Sequence, residues 1–80
     1  MIQEDKNKNE REREDRFKKI AARRTERVLV SLRVLGNCSN KSAYKYSDED
    51  ISKIFRAIEE QLRIAKARFQ SHRNHKKFNL

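Results

Sequence analysis

Proline and tryptophan are missing from this chain, and glycine, cysteine and methionine occur once each in 80 residues. Without proline, no position is obliged to break a helix. A single glycine, Gly36, leaves no Gly-rich loop to cradle phosphates, so nucleotide hydrolysis is not expected. A single cysteine, Cys38, excludes an intrachain disulfide and any cysteine zinc cluster. No run approaches the roughly 18 apolar residues that span a bilayer, and no apolar N-terminal stretch resembles a signal peptide. The expected location is therefore the cytoplasm, where the sequons Asn37-Cys38-Ser39 and Asn40-Lys41-Ser42 have no consequence.

What is present is charge, and it comes in blocks. Charged residues make up 41% of the chain against 35% apolar, with a net charge of +9. Residues 1–16 carry 5 bases and 6 acids, and 17–45 carry 8 bases and 1 acid. Residues 46–62 carry 2 bases and 5 acids, and 63–80 carry 6 bases and no acid. Clustered Lys and Arg gain free energy by displacing counterions from a polyanion, so nucleic acid is the first partner class to consider. With so few apolar residues any core is thin, and self-association or a protein partner is expected to supplement it.

Residues 1–15 alternate acids and bases almost without an apolar anchor and are expected to be frayed or disordered. From Phe17 to Leu35, Phe17, Ala21, Thr25, Val28, Leu32 and Leu35 recur at helical spacing, predicting a helix over 16–35. Gly36 follows at the position where a left-handed residue ends a helix. Residues 36–47 read as a loop. Ser47, followed by Asp48, Glu49 and Asp50, supplies a capping hydroxyl and three acids at the positive end of a helix dipole, with Asp50 completing an Asp variant of the capping box. A second helix is predicted over 48–70, its seam formed by Ile51, Ile54, Phe55, Ile58, Leu62, Ala65 and Phe69. Residues 71–80 read as a basic flexible tail.

The expected fold is all-α: an antiparallel two-helix hairpin over 16–70, dimerising into a four-helix bundle, with flexible termini. Leu32 and Leu35 would meet Ile51 and Phe55, Val28 would meet Ile58, and Phe17 would meet Phe69. That arrangement gathers the basic ends of both helices at one pole.

The candidate nucleic-acid-binding residues follow from this map. Arg16, Lys19, Arg23 and Arg27 share one face of the first helix as a basic ridge, with Arg63, Arg73, Lys76 and Lys77 extending the field. The plain alternative is a solvated helix face. Tyr44 and Tyr46, beside Lys41 and Lys45, could stack on bases, or could cover the open end of a helical core. Ile20, Val30, Val34 and Ile64 lie off the main stripes and suggest a partner interface, against the alternative of scattered surface hydrophobes.

Chemistry is sparse. His72 and His75 are three apart in the tail, too few to hold a metal, and Glu59 and Glu60 are expected to pair with Arg56 and Arg63. No cofactor, metal or catalytic group is expected. The leading function is a non-enzymatic accessory or regulatory factor binding RNA or DNA through backbone phosphates. The alternative is a protein–protein interaction adaptor or complex subunit, and a basic amphipathic membrane binder ranks third.

Leu35-Gly36-Asn37, Ser39-Asn40, Tyr44, Tyr46, Asp50-Ile51 and Lys53-Ile54-Phe55 together resemble a recurrent class of short, uncharacterised helical proteins of bacteria and mobile elements, over about residues 16–69. The resemblance implies that loop and cap belong to one domain signature. It carries no functional residue across.

Overall fold

The computed structural model describes the backbone of residues 2–77 and the side chains of residues 8–72. It is all-α: helix α1 spans Ile2–Gly36, a 3-10 turn spans Asn37–Ser39, and helix α2 spans Asp48–Lys77, with no strand among the described residues. The chain divides into two units, Met1–Tyr44 and Lys45–Leu80.

In the first unit, α1 runs for 35 residues, about 52 Å at the helical rise of about 1.5 Å per residue. It begins well before residue 16, where the apolar stripe would have started it. The added turns contain neither proline nor glycine, and Arg11 with Asp15 and Glu12 with Arg16 place opposite charges four residues apart. Local propensity therefore extends the helix beyond the apolar pattern.

The end of α1 corrects the reading of Gly36. The residue is still helical, with φ −57° and ψ −27°, and no glycine adopts a positive φ. The α-helix does end at Gly36, without a left-handed residue, and the 3-10 turn that follows ends at Asn40, where the backbone turns extended at φ −68° and ψ 103°. Its Oδ1 accepts the Ser42 N–H at 3.0 Å, and its carbonyl accepts the Ala43 and Tyr44 N–H groups at 3.1 and 3.0 Å. An Asn side chain that mimics a backbone turn does what the left-handed glycine was expected to do.

In the second unit, α2 opens on a reciprocal capping box. The Asp50 N–H donates to the Ser47 hydroxyl at 3.1 Å, and the Ser47 N–H donates to the Asp50 carboxylate at 2.9 Å. Two orphan donors of the first turn are satisfied together, and Asp48, Glu49 and Asp50 sit at the positive end of the dipole. Tyr46 and Ile51 occupy the positions just before the cap and one turn after it, where a hydrophobic staple packs, and both are partly buried. The helix continues past residue 70 to Lys77, since the tail has no breaking residue either.

No described side chain is fully buried. Ala21, Leu35, Tyr46, Ile51 and Ile58 are partly buried and the rest are exposed. Within each unit the apolar stripe is present at helical spacing, and most of its residues are exposed.

Candidate nucleic-acid interface

The helix α1 fixes the geometry of the basic ridge. At about 100° per residue, Arg16, Lys19, Arg23 and Arg27 fall within an arc of about 80° and span about 16 Å along the axis. That length covers about five base-pair steps of a duplex, which rises about 3.4 Å per step. All four side chains are exposed. Arg24, which the sequence reading left out, borders the same arc one turn from Arg27 and Ile20, a neighbour that the Arg23-Arg24 pair already signalled.

None of the ion pairs among the described residues includes a ridge cation. They join Glu26 to Arg33 at 3.9 Å, Glu49 to Lys53 at 3.6 Å and Glu60 to Arg63 at 2.6 Å. Glu26 is the single acid of residues 17–45, and it is drawn toward Arg33. Exposed pairs of this kind contribute little stability, so their main effect is on the local field.

Arg63 stands apart from the ridge residues. Its Nε and Nη2 both donate to the Glu60 carboxylate, at 3.2 and 2.6 Å. This hydrogen bonding holds the Glu60 carboxyl below the usual glutamate range and raises the Arg63 guanidinium above its own. The fork that would grip a phosphate is occupied by a neighbour one turn away. Arg56 and Glu59, named with this pair in the sequence reading, take no part in it. Arg73, Lys76 and Lys77 lie on the α2 backbone, with side chains outside the described residues.

The two tyrosines differ. Tyr44 is 54% exposed at the end of the first unit, whereas Tyr46 is partly buried at the start of the second. Only Tyr44 presents an open ring.

The apolar candidates Ile20, Val30, Val34 and Ile64 are 38, 42, 59 and 39% exposed. On α1, Val30 and Val34 belong to something larger than the sequence reading recognised. Val28, Leu29, Val30, Leu32, Val34 and Leu35 crowd eight consecutive positions and surround the helix, and Leu29 at 43% exposure fills the side that the stripe analysis missed. A helix apolar all round is normally buried. The signal lay in the run itself rather than in its period.

Other chemistry is thin. Cys38 is exposed in the 3-10 turn. Among the described residues, no group of three or more His, Cys, Asp or Glu is placed to hold a metal ion, and no helix is long and apolar enough to cross a membrane. Surface depressions, such as that lined by Glu10, Arg13, Glu14, Phe17 and Lys18, are open and shallow. Compared with known proteins, the chain matches no protein-family model, no curated protein and no solved structure.

Proposed function

We propose that the chain is a non-enzymatic, helical nucleic-acid-binding factor that holds backbone phosphates along the α1 ridge. The observation that carries this is the set of four exposed cations on one continuous helix face, outside every ion pair found among the described residues. Such a face neutralises phosphates without reading base edges, so it binds with strong salt dependence and little sequence selectivity. Exposed apolar stripes on both helices support closure into an antiparallel hairpin and pairing with a second copy as a four-helix bundle. The basic C-terminal half of α2 then adds to the field.

Fluorescence anisotropy against duplex DNA, single strands and structured RNA tests the proposal. Binding at low salt that Arg23→Ala with Arg27→Ala weakens about tenfold is expected. No binding to any of the three at low salt overturns it.

A second reading, a protein-interaction adaptor, is favoured by the apolar collar at 28–35. Under it, Val30→Ser with Val34→Ser abolishes partner capture while the ridge substitutions have little effect.

A further inference from the structure

We infer that α2 is the contact between two copies of this chain, paired antiparallel about a twofold axis at residue 60. The inference rests on the reading that copies pair, and it adds the surface and the register.

Six of the seven α2 seam residues, Ile51, Phe55, Ile58, Leu62, Ala65 and Phe69, follow steps of four, three, four, three and four, with Ile54 at the edge of the stripe. That spacing reads the same from either end. Laid against itself in reverse, the stripe sets Ile51 opposite Phe69, Phe55 opposite Ala65 and Ile58 opposite Leu62, each layer occurring twice as a twofold axis requires. The bulk of Phe55 then falls on the methyl of Ala65, and the other layers join side chains of comparable size. Parallel pairing would set Phe55 on Phe55 and Ala65 on Ala65, an overfilled layer close to an empty one. The stripe is available for this contact. Phe55, Leu62 and Phe69 are 46, 56 and 66% exposed, and Ile51 and Ile58 are only partly buried.

Charge selects the same direction. The first turn of α2 holds Asp48, Glu49 and Asp50, whereas residues 63–80 carry six bases and no acid. Parallel helices would stack acid on acid and base on base, and antiparallel helices set acid beside base at both ends. In a four-helix bundle every helix turns its stripe to a shared core, so this contact is compatible with a hairpin closing on the same stripe.

The test uses the full chain with Cys38→Ser, carrying either Gln61→Cys or Ala65→Cys, with sedimentation for mass and circular dichroism for retained helicity. A dimer is expected that forms a disulfide through Gln61→Cys, beside the axis, and none through Ala65→Cys, whose copies lie about 15 Å apart at the helical rise. A monomer at every concentration overturns pairing altogether. A dimer that cross-links through Ala65→Cys, or that fails to cross-link through Gln61→Cys, overturns the register and leaves pairing intact.

Discussion

Two residues near the linker show how much a single position decides. Ser47 and Asp50 close a ring of two hydrogen bonds that fixes where α2 begins, and both partners lie within one helical turn. Gly36 is the opposite case. Its right-handed conformation gives it no advantage over a residue with a side chain, and a Cβ built there meets nothing within 4 Å. Gly36→Ala is therefore expected to stabilise the protein by about 0.5–1 kcal/mol, through removal of backbone freedom from the unfolded chain. Thermal unfolding followed by circular dichroism checks this. A loss of stability would mean that the residue is left-handed in solution.

At the scale of the element, each helix carries a surface whose properties follow from side chains three or four residues apart. On α2 the Glu60–Arg63 fork ties up one of the cations counted toward the polyanion site. Because the carboxylate is favoured in the folded chain, its support for α2 is complete above the ordinary glutamate range. It is lost as pH falls through the lowered value. Carbon-detected NMR titration is expected to place the Glu60 midpoint below that range, and Arg63→Ala to return it. Glu60→Gln should release the guanidinium and steepen the salt dependence of nucleic-acid binding by about 0.9 in the log–log slope, one added phosphate contact. On α1 the ridge and the apolar collar share one unbroken rod, so an anchor at residues 28–35 would fix the orientation of the cations at 16–27.

At the scale of the whole molecule, the charge distribution governs what approaches. If the four ridge cations alone meet phosphates, the slope of log K against log salt on duplex DNA is expected near −3.6, about 0.9 for each contact. Engagement of Arg63, Arg73, Lys76 and Lys77 as well would bring it near −7. The same anisotropy titration repeated over a salt series measures this. An antiparallel α2 pair would lower the value, because each basic half would lie against the partner's acidic first turn.

The sequence by itself determined the helices, the capping box and the faces on which charge and apolar residues fall. Helical hydrogen bonds and caps close within four residues, and the 3.6-residue turn places neighbours without reference to anything distant. The stripes Phe17 to Leu35 and Ile51 to Phe69, the ridge and the acidic start of α2 were legible for that reason. Structure decided what depends on competition between local solutions. Asn40 rather than Gly36 turned the chain, because its carboxamide and carbonyl together capture three backbone donors. The tails continued as helix because nothing in them breaks one. Most residues of each stripe are exposed. An apolar pattern states which face avoids water, whereas the surface that covers it is chosen by packing between elements or between copies.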